Sequence, residues 1–403
     1  MSWKLARLAD ICEIKLGKTP SRSDKSYWDD EKLGSNVWVS IADLTKLNSR
    51  FIADSKEYIT DKGASLFKPV KAGTLLMSFK LSIGKVAYAN CDLYTNEAIV
   101  ALPIKDRNQI NSDFLFYFLK FYDWDKETEN DVKLKGKTLN KAKLNEIKVP
   151  LPPLPTQEKI VAKLDELFIE IDRATVAAEA NAKNAEVLFQ SFLKETFNNS
   201  KKQSTKIKIE NIANITSSKR IMKHEYVNEG IPFYRTKEVK ELANKRVITT
   251  ELFISKENYY EIKRRFGAPR KGEILITAIG TIGEIYVIDT DDEFYFKDGN
   301  VLWAKDLKEV EPEFLKYVLM SFVNELNELS LGAAYSALPI HKLKNYEVLI
   351  PNLEYQRIQI ISIKNMEGYS NKLTMEYIKK KSLYSSLKQS ILKQAFNGEL
   401  LKE

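Results

Sequence analysis

Between Thr156 and Asn198 the chain contains neither glycine nor proline, and Leu164, Ile171, Ala178, Ala185 and Phe192 recur every seven residues. Leu167, Ala174, Asn181 and Leu188 form a second row at the same spacing. Two such rows predict one long helix with a coiled-coil seam, and the small alanines in its middle let a partner helix approach closely. A looser version runs from Leu353 to Asn397 through Met366, Tyr369, Leu373, Tyr377, Leu387 and Ile391, interrupted by Gly368 and Lys380. These two helices are expected to be each other's partners.

Residues 1–150 have a different texture. Short apolar runs such as Val37-Trp38-Val39, Thr74 to Met77 and Ala98 to Ala101 are broken by Gly and Asx residues, which reads as strands joined by loops, with a helix at Ser112 to Tyr122. Residues 201–349 repeat this reading with strands at Glu273 to Ile276, Glu284 to Ile288 and Val301 to Ala304, and a helix near Glu313 to Phe322. Proline blocks, VPLPPLPTQEK and VLIPNLEYQR, end each such region. Thr156 followed by Gln157 and Glu158 supplies a cap and an acidic first turn for the helix behind.

The pattern is a duplication. QSFLKETFN from Gln190 and QSILKQAFN from Gln389 agree at six of nine positions, an offset of 199 residues. The same offset places Gly73 on Gly272, Leu76 on Leu275, Gly84 on Gly283, Leu144 on Leu343, Pro152 on Pro351 and Gln157 on Gln356. A fixed period means a repeated structural unit. The expected fold is therefore mixed α+β: two tandem related domains, 1–150 and 201–349, separated by two long helices at 151–200 and 350–403. Helical throughout, residues 156–198 extend about 64 Å at 1.5 Å per residue. The linker from Asn199 to Thr205 is too short to return that distance, so the second helix is expected to run back antiparallel in a pseudo-two-fold arrangement.

Composition narrows the class. Hydrophobic residues at 44% and aromatic residues at 11% can build real cores. No stretch offers the roughly 18 uninterrupted apolar residues of a membrane span, so no membrane association is expected. Cys12 and Cys91 are the only cysteines, which argues against a disulfide framework and suits a cytoplasmic location. A net charge of +8 and a pI near 9.0 suit a polyanionic partner without demanding one.

Catalytic patterns are missing from the sequence. The two histidines, His224 and His341, have no cysteine nearby, so no zinc-type spacing exists. There is no G-x-x-x-x-G-K-[ST] phosphate loop and no G-x-S-x-G elbow. The one Pro-Pro pair, Pro152-Pro153, is flanked by Leu151 and Leu154, the wrong chemistry to hold an exocyclic amine. Glu-x-Lys triplets such as Glu13-Ile14-Lys15 recur by chance in a chain this rich in both residues. No catalytic, cofactor-binding or metal-binding residue is nominated. A self-sufficient methyltransferase or nuclease with an unrecognised site, and a scaffold that binds proteins, stay open as alternatives.

Recognition chemistry is better represented. LGKTPSRSDKSYW gathers Lys18, Thr19, Ser21, Arg22 and Lys25 with two aromatics, and its counterpart ITSSKRIMKHEY gathers Ser217, Ser218, Lys219, Arg220 and Lys223. KRRFGAPRKGE adds Lys263, Arg264, Arg265, Arg270 and Lys271. Cations mixed with hydroxyls suit phosphate and base contacts, and arginine's forked donors can grip the O6 and N7 of guanine. Gly84 and Gly283 are read as turn residues between strands. On the helices, Gln157, Lys163, Lys194, Gln356 and Lys393 are expected on outer faces, available to partner helices.

With its duplicated layout, the LPPLPTQEKIVAKLDELF block and the closing LKQSILKQAFNGEL, the chain resembles the specificity subunit of a type I restriction-modification system over its entire length. One departure is Gln356-Arg357 where the first copy has Gln157-Glu158. The resemblance implies two target-recognition domains, each reading half of a bipartite double-stranded DNA site across a coiled-coil spacer. It also implies two modification subunits that methylate adenine and two restriction subunits that translocate and cleave, with no catalysis or cofactor in this chain.

Overall fold

The structure, a computed structural model of the chain, describes residues 3–128, 132–133, 136–137, 139–279, 282–322 and 338–402. It divides into two compact units, Met1–Ala178 with Lys379–Glu403, and Glu179–Ile378. Both boundaries fall inside the long helices Leu154–Asn199 and Leu353–Phe396, so each unit holds a part of both.

In the first unit, Lys4–Arg7 pairs antiparallel with Lys148–Leu151 and closes the recognition region onto the start of the central helix. Between them lies a five-stranded sheet in the order Lys15–Leu16, Ile99–Leu102, Leu75–Ser78, Val86–Ala89, Phe51–Ile52, with a three-stranded sheet around Val37–Val39. The middle strands are buried along their whole length because both sheet faces are covered. Alternation sorts their side chains. Leu75, Met77, Val86, Tyr88, Val100 and Leu102 pack with the helix Ser112–Phe121. Leu76, Ala87, Ala89, Ile99 and Ala101 pack with Val37, Val39 and Leu44. Asn111 caps that helix by accepting from the backbone N–H groups of Asp113 and Phe114.

The second unit repeats the plan. Ser204–Lys208 pairs antiparallel with Glu347–Pro351. The main sheet runs Asn214–Thr216, Val301–Lys305, Ile274–Thr277, Ile285–Val287. Ile274, Ile276, Ile285, Leu302 and Ala304 face the helix Pro312–Ser321, while Leu275, Tyr286, Val301 and Trp303 face Val239. The expected strands and both recognition-region helices are thus present within a residue or two.

Within each unit the two long helices pair, and they also pack on the recognition region. In the first unit Ile160, Leu164 and Ile171 join Ile391, Leu392, Ala395 and Phe396 in one core, and Phe396 is ringed by Phe114, Phe118 and Phe121 at 5.2, 5.6 and 5.2 Å. Lys388 Nζ meets Asp172 Oδ1 at 2.5 Å. In the second unit Phe189 and Leu193 pack with Ile363 and Tyr317, and Ser370 Oγ donates to the Ala185 carbonyl at 2.7 Å. Ile363 beside Leu193 and Ser370 beside Ala185 make the pair antiparallel.

The seam corrects the heptad reading. Leu164, Ile171, Ala178 and Ala185 are buried as expected, but Asn181 and Leu188 face outward and Phe189 and Leu193 take the inner positions. From Ala178 to Phe189 the spacing is eleven, because a helix of 3.6 residues per turn drifts away from a seven-residue register. On the C-terminal helix Tyr369 and Leu387 are exposed, and Ser370 holds the seam place expected of Tyr369. Among the described residues no helix is long and apolar enough to cross a membrane.

Candidate nucleic-acid interface

Antiparallel pairing decides which loops meet. In the first unit Leu16 lies opposite Val100, and Ser78 opposite Ile99, so the loops after Leu16, after Ser78 and before Ile99 emerge at one end of the sheet. Gly17 makes the convergence possible. A Cβ there would lie 2.2 Å from the Asn96 carbonyl oxygen and 2.3 Å from Thr95 Oγ1, so only glycine lets the first loop cross the third.

At this end Thr19 donates to Glu97, and this hydrogen bond is the main reason the Glu97 carboxyl is held below its ordinary range; Lys80 and Arg22 add to the effect through their charge. Lys18 and Lys25 are exposed, as is Ser21, which hydrogen-bonds Ser23 at 2.8 Å. Arg22 is differently occupied. Both its terminal nitrogens bond Glu57, and its guanidinium lies 3.8 Å from the Trp28 ring and 4.8 Å from the Trp38 ring. Held between two rings and a carboxylate, Arg22 acts as a strut that shapes the loop.

The second unit gathers the matching loops. Ser217 Oγ donates to the Val301 carbonyl at 3.2 Å and accepts from Gly299 N–H at 3.0 Å. Ser218 Oγ donates to the Phe296 carbonyl at 2.7 Å, and the Lys219 N–H donates to Tyr295 Oη at 2.8 Å. Arg220 Nε donates to Asp298 Oδ2 at 2.7 Å, which raises the guanidinium pKa further. An open recess of about 450 Å³ is lined by Arg220, Met222, Lys223, His224, Lys297, Asp298 and Asn300, among others.

The third cationic stretch divides. Arg264 and Arg265 end the helix Lys256–Phe266, where positive charge complements the unpaired carbonyls of the last turn. Arg265 also pairs with Glu261 at 3.0 Å, and Lys263 with Glu293 at 2.6 Å. Lys219 Nζ sits 5.6 Å from the Phe266 ring, so this helix end adjoins the first loop. Arg270 and Lys271 do not. They precede Ile274 at the opposite end of the Ile274–Thr277 strand from the recess, and Lys271 pairs with Asp291 at 3.3 Å.

Reading by residue type missed Lys80, Glu97, Lys297, Asp298 and Asn300. A usable signal was present in the strand order, since antiparallel neighbours bring the loop before the last strand beside the loop after the first.

The expectation that Gln157 and Gln356 lie on outer helix faces is corrected, because both are fully buried. Gln157 accepts from Asn111 N–H at 2.8 Å and donates to the carbonyls of Gln109 and Pro152, both at 2.9 Å. Gln356 accepts from Glu311 N–H at 2.8 Å and donates to the carbonyls of Glu309 and Pro351 at 2.9 and 2.8 Å. Burying an amide is tolerable only when its donors and acceptor are partnered, so these side chains lock the recognition region to its helix. Lys163, paired with Glu166 at 2.9 Å, is half-buried, and Lys194 and Lys393 are exposed.

Two tandem α+β domains, each closed onto long helices and each bringing polar loops to one sheet end, define a DNA-recognition class. The description "Type I restriction modification DNA specificity domain" matches residues 1–182 and again residues 201–382, and the chain belongs to that family. It is 26% identical over 302 residues, 74% of each chain, to a Haemophilus influenzae protein provisionally named type I restriction enzyme specificity subunit S.HindORF215P. It is 24% identical over 333 residues to the type I restriction enzyme EcoBI specificity subunit of Escherichia coli, covering 76% of this chain and 69% of that one. In fold it matches a chain from a structure of type I R-M system complex assembly and conformational transition, with a TM-score of 0.76, 18% identity and coverage of 99% and 98%. The chain is a DNA-binding member of the type I restriction-modification specificity subunits.

Proposed function

We propose that each unit reads one half of a bipartite, asymmetric double-stranded DNA site, and that separate subunits carried by this chain perform the chemistry. The observation that carries this reading is a repeated scaffold with unlike loops. The same strand ends present Thr19, Lys80 and Glu97 in the first unit and Ser218, Arg220, Lys297 and Asp298 in the second. Like scaffolds with unlike readers suit two half-sites of different sequence.

The partners are two modification subunits that methylate adenine and two restriction subunits that translocate and cleave. Exposed apolar residues support docking on the central helix, where Ile169, Val176 and Val187 fall on one face away from the seam at spacings of seven and eleven. Lys163, Lys194 and Lys393 stay candidates for that contact. Mapping methylated adenines in a host expressing the chain with its modification partner tests the reading. A two-part motif that disappears when this chain is omitted is expected; turnover by the purified chain alone, or indifference to DNA at all salt concentrations, overturns it.

A further inference from the structure

Arg220 and Arg22 stand in corresponding loops but present opposite faces to the outside. Arg22 commits both terminal nitrogens to Glu57 and is stacked on Trp28. Among the described residues Arg220 commits only Nε, to Asp298, and its side chain is 71% exposed while Asp298 is 16% exposed. Both Nη groups of Arg220 are therefore left open to a ligand, and the residue lines one recess with Lys297 and Asn300. The backbone leading into Arg220 is fixed as well, by Ser217, by Ser218 to Phe296, and by Lys219 N–H to Tyr295.

We propose that Arg220, buttressed by Asp298, is the guanine-reading residue of the second unit, gripping O6 and N7 of one base in the major groove. The proposal rests on the assignment of that unit to one half-site.

Charge selects the base edge over the phosphate. The Arg220–Asp298 pair is neutral as a whole, and its carboxylate repels a phosphate oxygen brought close. The edge of guanine is uncharged and offers two acceptors at the spacing of an arginine fork. Lysine in place of Arg220 keeps the charge and loses the fork. Of the lysines lining the recess, Lys223 is exposed and Lys297 half-buried; among the described residues neither has such a carboxylate buttress, and both suit the backbone instead.

The test uses the full chain with its modification partner and a duplex carrying the mapped site. Guanines of each half-site are replaced singly by 7-deazaguanine, which lacks the N7 acceptor. One replacement, in the half-site read by the second unit, is expected to weaken wild-type binding about 10- to 100-fold and to leave Arg220→Ala binding unchanged. Arg220→Ala and Arg220→Lys should both relax methylation at that base pair, and Asp298→Asn should relax it partly, all with unaltered melting temperature. Arg22→Ala should lower the melting temperature and relax no single position.

The proposal is overturned if Arg220→Ala weakens binding to every sequence equally and flattens its salt dependence, the behaviour of a phosphate contact, or if no guanine shows the coupling. A wild-type complex without any sequence preference fails at an earlier step and overturns the half-site reading itself.

Discussion

Gln157 reaches across from the central helix to accept the backbone N–H of Asn111 at 2.8 Å, and Gln356 repeats the contact with Glu311 at the same distance. Each glutamine also holds two carbonyls, one from the loop before a recognition-region helix and one from the proline block before its own helix. Three backbone groups in a buried site thus depend on one side chain.

Gln157→Ala leaves those groups without partners and should cost about 1–3 kcal/mol, read as a shift in urea midpoint. Gln157→Glu should cost more, because a carboxylate lacks the N–H donors and faces the Gln109 and Pro152 carbonyls. Gln356→Ala should behave alike in the second unit. Unchanged midpoints would remove the glutamines from the joint.

A pH dependence centres on Glu238, which is 2% exposed. Burial opposes its charge, but hydrogen bonds from the Arg235 side chain and backbone outweigh burial and hold the carboxyl below the ordinary glutamate value of 4.5. A group depressed in the folded state contributes stability above its unfolded pKa and loses it as pH falls through the folded one. Glu238→Gln should therefore destabilise the protein at pH 7, with a penalty that shrinks steadily below pH about 4.5. Denaturant midpoints at both pH values check the sign; a penalty constant with pH rules out the ion pair as its source.

Glycine at position 84 is required by contact as well as by conformation. Its φ is +78°, and a Cβ there would lie 2.3 Å from Trp124 Cδ1. That indole is fixed in turn, since its N–H donates to the Leu119 carbonyl at 2.9 Å. Gly84→Ala should cost about 2 kcal/mol or more through left-handed strain and overpacking together, measured by thermal or urea unfolding. An alanine variant as stable as the parent would show that Trp124 can move.

Much of the architecture was legible because burial on both sheet faces writes itself as short apolar runs, and Leu75–Ser78 and Ile274–Thr277 stand 199 residues apart in sequence. Helix length was legible from the absence of breakers, but the seam was not: Leu188 and Phe189 are adjacent apolar residues, and only the accumulated twist decides which turns inward. The candidate loops were half legible. Lys18, Thr19 and Arg220 announce themselves by type, whereas Glu97 and Asp298 are acidic, and acidic residues are not sought in a DNA-binding surface. Their role comes from geometry, where each neutralises or orients a neighbour brought to it by strand pairing. Gln157 failed for a related reason. A polar residue on an amphipathic helix reads as outward unless its backbone partners, distant in sequence, are known.

Lys25 and Lys223 offer the cleanest separation of affinity from specificity. Both are exposed, and both lie in short 3-10 turns that directly follow the first loop of their unit. An exposed ammonium is a hydrated point charge with no fixed fork, suited to phosphate oxygens and poorly suited to telling one base from another. Each phosphate contact releases condensed counterions, so removing one should reduce the slope of log K against log salt by about 0.9. Lys25→Ala and Lys223→Ala should thus weaken binding to cognate and unrelated duplexes by the same factor, most strongly at low salt, and leave the methylated motif unchanged. Fluorescence anisotropy over a salt series with both duplexes measures slope and ratio together. If either variant changes the cognate-to-unrelated ratio, that lysine touches a base; if neither changes the slope, the DNA backbone runs elsewhere on the two units.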